Sequence, residues 1–163
     1  MDRTGTHVRG ILPIVYTPFD ADGRIDEEDL ERLVDYLIAS GVHGLAAVGG
    51  GSECHKLTMA ERTWLAERTS AFAAGRVPVI VGTSATNTRD AVELSIHAQS
   101  IGAKAVFLTP PLFGPVSPDA LIYHYGQVAR AVSIPIMVQD AQVSVPPAQM
   151  VRLAEAYPNV CYA

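Results

Sequence analysis

Behind an apolar run, the stretch GGGSECH (49–55) places three glycines, a serine, a glutamate, a cysteine and a histidine in consecutive positions. Gly49, Gly50 and Gly51 allow the backbone to approach an anion and offer its N–H groups, and Ser52 adds a hydroxyl. The pattern is neither GxGxxG nor GxxxxGK[ST], so a small carboxylate fits it better than a nucleotide phosphate. The competing reading is a strand-ending turn with no ligand. Glu53, Cys54 and His55 are adjacent and do not converge naturally on one metal ion, so no metal is expected. A Cys54–His55 nucleophile pair is disfavoured as well, because a catalytic base usually comes from elsewhere in the fold. Glu53 suits a structural role, bonding the loop's own N–H groups or pairing with Arg62, while Cys54 and His55 are expected to pack or face water. Similar clusters of small polar residues follow other apolar runs: GTSATN (82–87), TPPLFGP (109–115) and QDAQ (139–142).

Other polar and aromatic residues read as framework. His43 and His97 are expected at the surface or in packing, and Trp64 in helix packing. Tyr123, His124 and Tyr125 share a helix whose 3.6-residue period cannot point all three one way; one tyrosine is expected in the core or an interface and the others exposed.

The elements that must position these loops alternate along the chain. ILPIVYT (11–17), GLAAVG (44–49), VPVIVGT (77–83), KAVFLT (104–109) and IPIMVQ (134–139) read as strands, and NVCYA (159–163) as the opening of a sixth. Between them, residues 26–40 begin at an N-cap Asp26, place Leu30, Leu33, Val34 and Leu37 on one face, and end at Gly41. Thr58 with Glu61 forms a capping box for the next helix, which Gly75 closes. Helices over 87–102, 117–132 (with Pro118 at the first position) and 146–157 complete the pattern.

Strands apolar almost throughout, joined by helices, predict a parallel sheet covered on both faces. The unit recurs every 24 to 34 residues, the βα period of a TIM barrel, which takes eight units and roughly 250 residues. About five and a half units are present, so the α/β fold would be an incomplete barrel. A five-stranded doubly wound sheet of flavodoxin type is the alternative, and periodicity leaves both open. In either fold, function belongs in the loops after the strands' carboxyl ends.

With 163 residues, 48% of them hydrophobic and 18% charged, the chain suits a single domain over 1–163. A net charge of −5 without any Lys/Arg block disfavours nucleic acid as a partner. No apolar stretch approaches the roughly 20 residues of a membrane helix, and MDRTGTHVRG lacks the apolar core of a signal peptide, so no membrane partner and a cytoplasmic location are expected. Cys54 and Cys161, distant and without CxxC spacing, are expected to be reduced thiols.

Taken in order, the loop sequences resemble one family. TPFDADGRID (17–26) matches its first strand end, GGGSE (49–53) its G-T/S-T-G-E, KLTMAER (56–62) its L-T-x-x-E-R, and GRVPVIVGTSATNT (75–88) its third strand. GAKAVFLTPPLFGP (102–115) matches G-A-D-x-x-L-x-x-T-P-Y-Y, and SIPIMVQDA (133–141) matches I-P-x-x-x-Y-N-x-P. The family is that of dihydrodipicolinate synthase and N-acetylneuraminate lyase, Schiff-base aldolases built on TIM barrels. The resemblance spans nearly the whole chain and implies the barrel. It implies a lysine at the end of the sixth strand that forms an imine with a 2-oxo acid, usually pyruvate, the imine serving as electron sink without a separate cofactor. It also implies that the glycine-rich loop holds the substrate carboxylate, that a tyrosine after strand five shuttles protons, and that the completed barrel forms homo-oligomers.

The sequence departs from this pattern at the chemical positions. Its lysines are Lys56, opening a helix, and Lys104, opening a strand; the family places its imine lysine just beyond NVCYA. Gly50 and Gly51 replace the loop threonines, Ser52 replaces the glycine before the glutamate, and Gln139 and Asp140 occupy the tyrosine–asparagine positions. Leu112 or Phe113 aligns with the second tyrosine of T-P-Y-Y, and AQVSVPP offers no arginine for a second carboxylate. The resemblance therefore implies a site in which Gly49, Gly50, Gly51, Ser52 and Thr109 bind a small 2-oxo acid or other carboxylate. In that site Gln139 and Asp140 polarise or deprotonate it, and Glu53 and Pro110 are structural. The expected function is a lyase reaction on a pyruvate-type acid other than dihydrodipicolinate synthesis. The alternative is a non-catalytic carboxylate-binding protein or truncated pseudoenzyme. A half barrel would expose a strand edge, so a longer polypeptide or a partner is expected to complete it.

Overall fold

Sequential pairing of short parallel strands defines the architecture of the structure, a computed structural model that describes residues 8–111, 116–141 and 143–163. The elements run α1 (Glu27–Ala39), β1 (Leu45–Ala47), α2 (Met59–Ala73), β2 (Val79–Gly82), α3 (Thr88–Ser100), β3 (Ala105–Leu108), α4 (Pro118–Ala131), β4 (Ile136–Val138), α5 (Pro147–Ala156) and β5 (Val160–Tyr162). The sheet order is β1-β2-β3-β4-β5 with every pair parallel. A doubly wound sheet reverses its order at a switch point. None occurs here, so the strand order is that of a barrel wall.

The expected strand over 11–17 is reduced to one parallel bridge, Ile14 to Ala46. Its segment still runs beside β1: Val15 N–H donates to Ala46 O and Ala46 N–H to Pro13 O, both at 2.9 Å. Pro13 has no N–H of its own, so the ladder is interrupted there.

Side-chain alternation divides the core in two. Leu45, Ala47, Val79, Val81, Val106, Leu108, Ile136, Val138 and Val160 point toward the helices and pack with Leu30, Val34, Leu65, Leu94, Tyr125 and Leu153. Ala46, Ile80, Ala105 and Phe107 point the other way, against Leu12, Ile14 and Met137. No described helix residue belongs to this second cluster. The expected cover on both faces is present, helices on one side and, on the other, the sheet's own interior, as a curling barrel wall provides. The curl brings the far strand back to the start of the chain, where Tyr162 Oη accepts the Val8 N–H at 3.2 Å.

Short-range chemistry sets the helix starts. Asp26, Thr58, Asn87 and Ser117 each accept the N–H three residues on, Thr58 with Glu61 as a reciprocal capping box. One expectation for α4 fails: Tyr123 is exposed and Tyr125 buried, but His124 is also buried, at 1% exposure. The helix packs against both α3 and α5, so its buried arc is wider than one stripe. Trp64 is half-buried, with the Arg68 guanidinium 5.7 Å from its ring centre. No helix among the described residues is long and apolar enough to cross a membrane.

Candidate functional site

A cleft of about 180 Å³ opens at the carboxyl ends of β1 to β4, lined by Val48, Gly49, Gly50, Cys54, His55, Ser84, Thr109, Gln139 and Ala141. Each strand delivers its part at the point where it stops.

The β1 end is the most distorted. Val48 has φ +59°, a left-handed conformation that a β-branched residue adopts only under constraint. Its carbonyl lies over Gly82, where a Cβ would collide with that oxygen and come within 2.9 Å of Phe107 Cζ. A single 3-10 turn, Gly50–Ser52, follows. Ser52 is fully buried, and its hydroxyl donates to Val15 O at 2.6 Å and accepts from Gly49 N–H at 3.1 Å. The Ser52 carbonyl accepts the Thr17 hydroxyl at 2.7 Å. Ser52 therefore anchors the loop to the 11–17 segment and does not line the cleft. The N–H groups of Gly50 and Gly51, first in the turn, meet no acceptor among the described residues. A Cβ at Gly50 would meet nothing within 4 Å, whereas one at Gly51 would meet Ile14 and Tyr16 at 3.3 and 3.4 Å.

Glu53 does not pair with Arg62, as one expectation had it. Its carboxylate binds Lys56 Nζ at 2.6 Å, and that ammonium holds the Glu53 carboxyl below its ordinary range. Arg62, buried on α2, instead donates from Nη2 to the Ser84 carbonyl at 2.6 Å. Lys56 is consequently engaged at the exposed rim. Lys104 directly precedes β3, at the opposite end of the strand, its N–H donating to Val79 O at 2.8 Å. Neither lysine lines the cleft.

From β2 and β3 come two hydroxyls. Thr109 N–H donates to Ser84 Oγ at 3.0 Å, while Thr109 Oγ1 is buried with no hydrogen-bond partner. Pro110, also buried, follows it. From β4, Gln139 donates its backbone N–H to Leu108 O at 2.9 Å and lines the cleft. Gln139 also borders a second cavity, about 280 Å³, formed with Leu12, Ile14, Ala46, Ile80, Phe107 and Met137 on the sheet's inner face. Asp140, by contrast, is exposed and accepts the Val145 N–H at 3.0 Å; it caps its own loop outside the cleft. Tyr125 supplies no mobile proton here, since its hydroxyl donates to Leu108 O at 2.9 Å. Burial and the Asp140 charge push its pKa upward. Leu112 and Phe113 lie outside the described residues.

Of the sequence-predicted residues, the structure brings Gly49, Gly50, Thr109 and Gln139 into one cleft, and leaves Gly51, Ser52, Glu53, Pro110 and Asp140 outside its lining. Cys54 and His55, expected as bystanders, line the cleft. Burial raises the Cys54 pKa against the opposing pull of Arg62, so the thiol is held protonated. Ser84 was missed, although its place just after β2 was the available signal. No three His, Cys, Asp or Glu gather for a metal among the described residues. The lining contains no Lys, Arg, Asp or Glu and can bind an anion with backbone N–H groups at its glycine end and oxygen functions with Ser84, Thr109 and Gln139 elsewhere.

Residues 7–162 match the Dihydrodipicolinate synthetase family. The 4-hydroxy-tetrahydrodipicolinate synthase of Acidiphilium cryptum (strain JF-5) is 37% identical over 155 residues, 93% of this chain and 53% of that protein. YagE of Escherichia coli (strain K12), whose name proposes a 2-dehydro-3-deoxy-D-gluconate aldolase, is also 37% identical, over 93% of this chain and 51% of its own. Its crystal structure, in complex with pyruvate, superposes with a TM-score of 0.89 over 93% of this chain and 52% of that chain. A dihydrodipicolinate synthase crystal structure gives 0.90 at 32% identity, over 94% of this chain and 54% of that one. The chain thus spans about half the length of the relatives it matches.

Proposed function

The chain belongs to the Dihydrodipicolinate synthetase family, and from that premise we propose that it forms the amino-terminal part of a lyase acting on a pyruvate-type 2-oxo acid through a lysine imine. The lysine lies outside these 163 residues, because neither Lys56 nor Lys104 reaches the cleft. The observation that carries the reading is the glycine turn: N–H groups of Gly50 and Gly51 that meet no acceptor among the described residues, at the edge of a cleft lined by no carboxylate, at the carboxyl ends of parallel strands.

In the proposed reaction the acid's carboxylate accepts those N–H groups, which presents its C2 carbonyl to the incoming amine. Amine and carbonyl lose water to give an imine; in a longer 2-oxo acid the C4 hydroxyl then gives its proton to solvent and becomes a carbonyl as the C3–C4 bond breaks, and the imine takes up that electron pair as an enamine. Gln139 can hold a substrate oxygen but has no ionisable proton. The family's relay positions at Gly50, Gly51 and Gln139 lack hydroxyls, so the reaction proposed is not dihydrodipicolinate synthesis. The completed barrel is proposed to act in the cytoplasm as a homo-oligomer.

Intact mass spectrometry of the protein purified from its own host, treated with pyruvate and borohydride, tests this. The expected product is a chain longer than 163 residues that gains the mass of one pyruvic acid less one oxygen. An unmodified chain would remove imine chemistry, and saturable pyruvate binding without covalent trace would establish a carboxylate-binding protein in its place.

A further inference from the structure

We propose that His55 carries the proton in this cleft, taking it from C3 of the bound 2-oxo acid's imine and returning it there. The assignment rests on the reading of the cleft as an imine-forming 2-oxo acid site.

Imine and enamine differ by one proton. As the imine becomes the enamine, a C3–H bond breaks, its electron pair forms the C2–C3 double bond, and the C–N π pair moves onto nitrogen. A base must take that proton, and its acid form must return it to C3 after carbon–carbon cleavage; such a group has to reach the carbon and change charge near neutral pH. The described lining offers few. Gln139 brings an amide, and Ser84 and Thr109 bring hydroxyls, none of which ionises in that range. Burial holds the Cys54 thiol protonated. Tyr125 is buried, its hydroxyl donated to Leu108 O. His55 lines the same cleft, and an imidazole both accepts and releases a proton in the physiological range.

The placement suits the role. His55 follows the glycine turn by two residues, and in a cleft of about 180 Å³ it and Gly50 face one small ligand. With the acid's carboxylate on the turn's N–H groups, C3 lies only two bonds beyond the carboxyl carbon. His55 is exposed at the rim, so a proton on its ring exchanges with water. The charges beside it are Glu53 and Lys56. The Glu53 carboxyl is held low by Lys56 first and by His55 after it, and Lys56 closes on that carboxylate at 2.6 Å, leaving the ring to the cleft. Arg62 is committed to the Ser84 carbonyl.

Exchange of the pyruvate methyl protons for deuterium, followed by proton NMR, tests this with the protein as its own host makes it and with its His55→Gln and His55→Ala variants; borohydride trapping of the imine is measured alongside. The wild type should exchange, and each variant should exchange about 100-fold more slowly, the low end of what general acid–base catalysis contributes. Added imidazole should restore part of the rate in His55→Ala, and one ionisation in the wild-type pH profile should be missing from both variants. His97→Gln, on α3 and paired with Glu67, should exchange at the wild-type rate. Variants that trap pyruvate and exchange as fast as the wild type, or more slowly with an unchanged pH profile, would overturn the inference and leave the imine site standing, as would a wild type that traps pyruvate without exchange. Loss of trapping in both variants would assign His55 to imine formation instead and overturn it too. A wild type that traps no pyruvate would remove the imine reading and the inference together.

Discussion

Replacing His124 with leucine should remove an acid sensitivity built into the core. The imidazole lies between α4 and the start of α3, with Nδ1 3.0 Å from the Thr88 hydroxyl and Nε2 buried without a partner. Burial lowers its pKa from 6.5 to about 4. In the folded protein the ring stays neutral down to that value, whereas in the unfolded chain it takes up a proton near pH 6.5. The unfolded state therefore binds more protons between the two values, and stability falls as pH drops through that window. At 1.36 kcal/mol per pKa unit the full loss is about 3.4 kcal/mol, of which about 2 kcal/mol falls between pH 7 and pH 5. Urea denaturation followed by circular dichroism at those two pH values measures it for the wild type and for His124→Leu. The wild type should lose about 2 kcal/mol more than the variant; the double difference cancels the carboxylates that titrate in both. Equal losses in the two proteins, within about 0.5 kcal/mol, would show that the ring titrates as it does in the unfolded chain and would refute the reasoning.

Two glycine substitutions near the cleft should act in opposite directions. Gly50→Ala, with nothing within 4 Å of the new Cβ, should stabilise by about 0.4–1 kcal/mol by restricting the unfolded chain. Gly82→Ala must push a methyl into the Val48 carbonyl and Phe107, and should cost at least 1–3 kcal/mol as overpacking; thermal melts of both variants check the pair. Ser52→Ala removes the donor to Val15 O and the acceptor for Gly49 N–H, and should cost about 1–3 kcal/mol in urea denaturation. The same change should speed amide exchange at Gly49, since the loop loses its tie to the 11–17 segment.

What was legible in the sequence was what short-range chemistry decides. Asp26, Thr58 with Glu61, and Ser117 ahead of Pro118 start helices through bonds to residues three positions away. The strand cores at 45–47, 79–82, 105–108 and 136–138 were visible as apolar runs, and the order of the loop motifs carried the family. Even the first strand was legible as a segment; its shrinkage to a single bridge comes from the proline within it.

The direction of each polar side chain depended on partners that no local pattern identifies. Ser52 turns away from the cleft because Val15, 37 positions earlier, accepts its proton. Arg62 leaves Glu53 for a carbonyl 22 positions later, and Ser84 is fixed by an N–H 25 positions further on. Cys54 and His55 enter the cleft after a 3-10 turn that ends in the left-handed conformation of Glu53, and His124 is buried because helices on both sides cover its helix. By itself, the sequence determined the elements, their caps and the family. Only the tertiary structure decided which hydroxyls are spent on the framework, as at Ser52 and Ser84, and which, as at Thr109, meet no partner among the described residues, because a hydrogen bond depends on distance in space rather than distance along the chain.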